Sequence, residues 1–129
     1  MVGEDFDGVI PRFLNDLFGA LDSNDEVVVS CLELYDDLRD LLAAEKKQLK
    51  IQEARDGSVR VDGALDVPAK SAAGALTLIQ DAVARRATAS HDMNADSSRS
   101  HFVASLRVAR ANDVCATLRL VDLAGSERV

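Results

Sequence analysis

The chain has 129 residues, 47% of them hydrophobic and 29% charged, with a formal net charge of −7. That length and apolar content suit one packed domain, no stretch has the length and apolarity of a membrane span, and the acidic balance argues against nucleic acid as a partner. The start, Met1-Val2-Gly3-Glu4-Asp5, lacks the basic region of a secretory signal, so the expectation is a soluble cytoplasmic protein.

The charge is unevenly spread. Residues 1–69 carry a net of −9 and residues 70–110 a net of +3, so a polyanionic partner would have to meet a local patch. Cys31 and Cys115 each sit in an apolar, strand-like run. They read as small buried hydrophobes with free thiols, because a disulfide does not suit the cytosol. With His91 and His101 they form no zinc spacing.

In chain order, the first element is a helix ending near Leu21. Pro11 fits its first turn, where a missing N–H costs little, and Phe13, Leu14, Leu17, Phe18 and Leu21 recur at helical spacing. Asp22–Asp25 is a turn cluster. Glu26–Tyr35 is β-branched and apolar, so a strand is expected. Leu38, Leu41 and Leu42 suggest a short helical turn closing it. Leu49–Glu53 and Ser58–Asp62 read as two short strands around Arg55-Asp56-Gly57-Ser58, in which Asp-Gly is a hairpin signal. Ser71–Ala87 is predicted to be a helix. Ser71 is its N-cap, Ala72, Ala75, Leu76, Ile79 and Val83 form its apolar stripe, and Arg85 and Arg86 complement the C-terminal end of its dipole.

Next comes Asn94–His101, N-A-D-S-S-R-S-H, a loop of hydroxyls with one arginine. Such a loop can offer oxygens to a hard cation and donors to a phosphate. It runs into Phe102–Val108, where Phe102, Ala104, Leu106 and Val108 alternate with more polar residues, the period of a half-buried strand. After the turn Ala111-Asn112-Asp113, the strand Val114–Val121 ends in Asp122. An acid at the carboxyl end of a buried strand is where α/β folds present groups to ligands, and Asp122 is placed to reach Mg²⁺ directly or through water. Gly125 lacks a Cβ, so its N–H can approach a terminal phosphate. Glu127 follows on the same loop, with Arg99 as a candidate partner. Either motif alone could be an ordinary loop beside a hairpin; the two in this order are more specific.

Together they resemble the kinesin motor domain: N-x-x-S-S-R-S-H its switch I loop, and D-L-A-G-S-E its switch II. The resemblance implies that Ser98 helps hold Mg²⁺ with Asp122 in support, that Ser97 lies beside the phosphates of ATP, and that Asn94 shapes the nucleotide pocket. It also implies that Gly125 senses the γ-phosphate, while Arg99 and Glu127 pair to close the switches and position the attacking water. Other stretches agree. G-V-I-P-R-F-L-N-D-L-F resembles the kinesin segment after the helix that follows the phosphate loop. V-V-V-S-C-L-E-L-Y with D-D-L-R-D-L-L resembles the strand and R-D-L-L element of that family, with Asp36-Asp37 in place of Asn-Glu. The short hairpin would be the small lobe that meets the microtubule, with Arg55 and Arg60 as its basic contacts, although Asp62 stands where many kinesins carry lysine. His91-Asp92 departs from the usual Thr-Asn at the entry to switch I.

The implied fold is α/β, part of a kinesin-type P-loop NTPase motor domain with a central mixed sheet flanked by helices. Residues 1–129 would be a partial motor domain running from just after the P-loop to the end of switch II. No G-x-x-x-x-G-K-[ST] occurs in these residues, so the isolated polypeptide is expected not to turn over ATP and not to fold stably. The expected function is that of a fragment of an ATP-driven, microtubule-stimulated motor, associated with the cytoskeleton, whose parent dimerises through a coiled-coil stalk. The alternative is a kinesin-like binding module without nucleotide chemistry. A GTPase reading explains D-x-x-G but neither S-S-R-S-H nor the lack of N-K-x-D.

Overall fold

The computed structural model describes residues 8–89, 100–111 and 113–125. Helix α1 is Val9–Ala20, entered from an extended Gly8 and with Pro11 in its first turn. It buries Ile10, Pro11 and Leu14 and lays Phe13, Leu17 and Phe18 beside them, the stripe expected from helical spacing. Burying a leucine such as Leu14 completely contributes about 1.5–3 kcal/mol.

Strand β1, Asp25–Leu34, is the axis of the sheet, because it is paired on both sides. Along one edge it pairs over its full length with β6, His101–Arg110. Its other edge is shared by two three-residue strands, β5 (Val67–Ala69) opposite Val27–Val29 and β2 (Leu38–Asp40) opposite Leu32–Leu34. Strand β7, Asp113–Asp122, completes the sheet on the far side of β6. Every pairing among the described residues is antiparallel.

Residues 38–40 correct the sequence expectation of a helical turn. Leu38, Leu41 and Leu42 do have helical spacing, but the open edge of β1 offers unpaired backbone groups that the segment satisfies as a strand instead. Asp40 then fixes the corner beyond it: its carboxylate accepts the Leu42 N–H at 2.9 Å and the Leu65 N–H at 2.5 Å. The second of these ties the far end of the excursion that follows back to the body. That excursion is a separate two-stranded hairpin, β3 (Lys50–Glu53) with β4 (Val59–Asp62), placed where it was expected.

Helix α2, Ala72–Ala89, packs against α1, β1 and β5. Ser71 caps it, its Oγ accepting the Gly74 N–H at 3.0 Å. Both helices lie on one face of the sheet, and the core is continuous between them. Val27, Val29 and Cys31 of β1 and Phe102, Ala104, Leu106 and Val108 of β6 meet Ile10 and Leu14 of α1 and Ala75, Leu76, Ile79 and Ala82 of α2. Alternation along β1 and β6 puts these residues on one face. The other face, with Ser30, Leu32, Val103, Ser105 and Arg107, lines a groove of about 1040 Å³ bounded by the β3–β4 hairpin. Burial pushes the Cys31 thiol up to about 12, assisted by the negative charge of Asp40. Cys31 is therefore an inert buried thiol, as its sequence context implied.

Candidate functional site

The site is assembled where the start of β6 meets the end of β7. In the antiparallel register Phe102 lies between Glu33 of β1 and Asp122 of β7, so the three side chains form one row across three strands. Cross-strand partners point to the same face, here the face covered by α2. One aromatic ring is thus flanked by two acids beneath a helix.

Arg86, near the end of α2, lies over that row. Its guanidinium carbon is 5.7 Å from the centre of the Phe102 ring, a cation–π contact. NH1 donates to Asp122 Oδ2 at 3.0 Å, and Nε is 3.6 Å from Glu33 Oε2. Nε also donates to Ser100 Oγ at 3.1 Å and NH2 to the Ser100 carbonyl at 2.6 Å. The Ser100 hydroxyl in turn donates to Glu33 Oε2 at 3.1 Å, and Arg39 approaches Glu33 Oε1 at 3.8 Å. Arg86, Glu33 and Ser100 are all buried. A buried charge stripped of its partner typically costs about 3–5 kcal/mol, so these groups hold one another in place. The neighbouring Arg85 braces the body, donating to the carbonyls of Leu41 at 2.9 Å and Ala43 at 3.2 Å.

Asp122 is the outlet of this network. One carboxylate oxygen is bound by Arg86, yet the side chain stays 51% exposed, so it is oriented from inside while still open to a hydrated cation. On the opposite face of the sheet, His101 Nδ1 accepts the Ala124 N–H at 2.9 Å. This holds the segment after β7, on which Gly125 is exposed. Carboxylate oxygens and hydroxyls are the hard donors that suit Mg²⁺. Among the described residues no group of three or more His, Cys, Asp or Glu could itself enclose a metal, so Asp122 is one donor and not a complete site.

Of the residues singled out in the sequence, Asp122 and Gly125 lie at this junction. Asn94, Ser97, Ser98, Arg99 and Glu127 lie outside the described residues. Arg55 is exposed at the tip of the β3–β4 hairpin. Arg60 is engaged within that hairpin, 2.9 Å from Asp62 Oδ1 and donating to Gln52 Oε1 at 3.3 Å. Sequence reasoning missed Glu33, Arg86, Ser100 and His101 as members of the site. Glu33 did carry a signal: it continues the inward series Val27, Val29 and Cys31, and an acid in that series requires a buried partner.

Comparison with known proteins covers the whole chain. The family model for the kinesin motor domain matches residues 1–129. Kinesin-related protein 3 of Dictyostelium discoideum is 34% identical over 133 aligned residues, covering 95% of this chain and 11% of that protein. The kinesin heavy chain of Strongylocentrotus purpuratus is 35% identical, covering 95% of this chain and 13% of that one. A solved structure of a fast kinesin superposes with a TM-score of 0.82 at 34% identity, covering 100% of this chain and 41% of that chain. This chain therefore spans less than half the length of each.

Proposed function

The chain belongs to the kinesin motor domain family, and on that premise we propose that it is the central part of an ATP-driven motor that moves along microtubules. In this reading residues 1–129 run from just after the P-loop to the end of switch II, and the phosphate cradle is supplied by residues outside them. The observation that carries the reading is the convergence of two loop ends at one point. Ser100 and His101, closing the S-S-R-S-H motif, are bonded to the network and backbone that hold Asp122 and Ala124 of D-L-A-G. Nucleotide switches need this adjacency, because both loops must meet the same terminal phosphate.

The residues divide the work by chemistry. Ser98 and Asp122 supply oxygens toward Mg²⁺, and Ser97 and Asn94 line the nucleotide. Mg²⁺, when bound with ATP, neutralises phosphate charge and orients the terminal phosphoryl group. Gly125 presents its backbone N–H to the γ-phosphate. Arg99 and Glu127 form an ion pair that orders the attacking water. Arg55 and Arg60 on the β3–β4 hairpin face the acidic microtubule surface. The parent protein is a cytoplasmic, microtubule-associated motor, dimeric through a stalk.

The decisive test is microtubule-stimulated ATP turnover in the full chain. Arg99→Ala and Glu127→Ala each abolish the stimulated rate while leaving nucleotide binding measurable. Unchanged turnover in either variant refutes the assignment of that pair.

A further inference from the structure

The ladder between β6 and β7 ends at the pair Phe102–Asp122. Beyond it, the chain that carries Gly125 has left the sheet and needs another anchor. The His101 imidazole meets that segment, its Nδ1 accepting the Ala124 N–H at 2.9 Å. His101 belongs to the face of β6 opposite the helices, with Val103, Ser105 and Arg107, and lines the groove. Ser100, one residue earlier, is buried on the helix side and linked through Arg86 to Asp122. Adjacent residues thus grip the end of β7 from its two faces, one fixing residue 122 and the other residue 124.

We propose that His101 is a positioning residue that sets the backbone of Ala124 and Gly125 through Nδ1. The consequence for turnover rests on the reading of Gly125 as the γ-phosphate sensor; the positioning itself does not. An imidazole nitrogen accepts a hydrogen bond only when it carries no proton, so the neutral ring holds its hydrogen on Nε2. The Nδ1 atom lies close to where an asparagine Oδ1 falls, so Asn at 101 preserves an acceptor and Leu removes it.

The test is made in the full chain, by imidazole nitrogen NMR and by hydrogen exchange at the Ala124 amide. The wild-type ring should show a single Nε2–H tautomer. His101→Leu should speed exchange at Ala124 by about tenfold, the scale of losing one hydrogen bond, with the Val103 amide in the ladder unchanged. His101→Asn should restore slow exchange. An Nδ1–H ring, a ring averaging between tautomers, or Ala124 exchange indifferent to His101→Leu overturns the proposal, and the wild-type ring decides it even if the Leu variant fails to fold. Turnover separates the two claims: a kcat lowered by Leu and recovered by Asn supports both. If Ala124 exchange responds and kcat does not, the positioning stands and the role given to Gly125 falls.

Discussion

The molecule contains two hairpins built on opposite terms. The β6–β7 hairpin has strands of ten residues, and its inward side chains on β6 are buried under α1 and α2. The β3–β4 hairpin has strands of four residues that are exposed or half-buried, with Ile51 62% and Val59 58% accessible. The turns are reversed in quality. The short hairpin turns through Asp56-Gly57, where Gly57 takes a φ of +85° without strain and Asp56 Oδ1 accepts the Ser58 N–H at 2.9 Å. The long hairpin turns through Ala111 at a φ of +52°, a conformation that costs a residue with a Cβ. Where burial supplies little, local turn chemistry must be right; where it supplies much, a strained turn is tolerated. The site of proposed chemistry sits on the buried hairpin and the proposed microtubule contacts on the exposed one.

The largest test of this contrast removes one apolar side chain from each hairpin. Phe102 is fully buried at the centre of the Glu33–Phe102–Asp122 row. Phe102→Ala should cost about 3–5 kcal/mol and withdraw the surface on which Arg86 rests. Ile51→Ala should change stability by no more than about 0.5 kcal/mol. Urea unfolding of the full chain measures both; similar costs at the two positions would dissolve the distinction.

The same contrast accounts for what the sequence made legible. Strand β6 announces itself through alternation, β1 and β7 through apolar runs, α2 through its stripe and Ser71, and the short hairpin through Asp-Gly. These are local signals. Strand β5 was missed because three residues containing Pro68 have no period to read, and its strand character comes from the edge of β1 thirty-eight or more positions away. Residues 38–40 were misread for the same reason, since their partner edge outweighs their spacing. In the site, Asp122 and Gly125 were visible because motif spacing is local. Glu33 and Arg86 were not, because register, not sequence distance, brings Glu33 and Asp122 to either side of Phe102; Ser100 and His101 stand in the S-S-R-S-H motif, but their bonds to Arg86 and Ala124 are made across the fold. Arg86 had a sufficient local explanation in the dipole of α2, which concealed its burial among two acids and a serine.

Exchanging the turn residues gives a smaller effect of opposite sign in the two hairpins. A Cβ built on Gly57 meets nothing within 4 Å, so Gly57→Ala tests backbone strain alone and should destabilise by about 1 kcal/mol. Ala111→Gly relieves strain but adds freedom to the unfolded chain, and should stabilise by less than about 1 kcal/mol. Paired thermal melts decide the matter. A destabilising Ala111→Gly would mean that the long hairpin's turn is not strained in solution.

The smallest effect concerns the ion pairs that finish each hairpin. Arg60 meets Asp62 through Nε at 2.9 Å. At the turn end of the long hairpin, Arg110 forks onto Asp25 of β1, with Nε to Oδ1 at 2.7 Å and Nη2 to Oδ2 at 2.9 Å. That two-point hydrogen bond, with the Asp22 backbone N–H as second donor, lowers the Asp25 carboxyl to about 2. A carboxylate depressed below its unfolded value of about 3.9 stabilises the fold above that value. The contribution is lost as pH falls from about 4 toward 2, when the folded state too takes up the proton. Arg110 is exposed, so salt should weaken the pair. Arg110→Gln removes the main cause of the shift: the Asp25 titration should move up toward about 3.9, and the acid limb of the stability profile should flatten between about pH 4 and 2, the variant being less stable than wild type at pH 7 and equal to it near pH 2. An Asp25 that titrates near 3.9 with Arg110 intact would show that the fork does not persist in solution. The long hairpin would then owe its closure to burial alone.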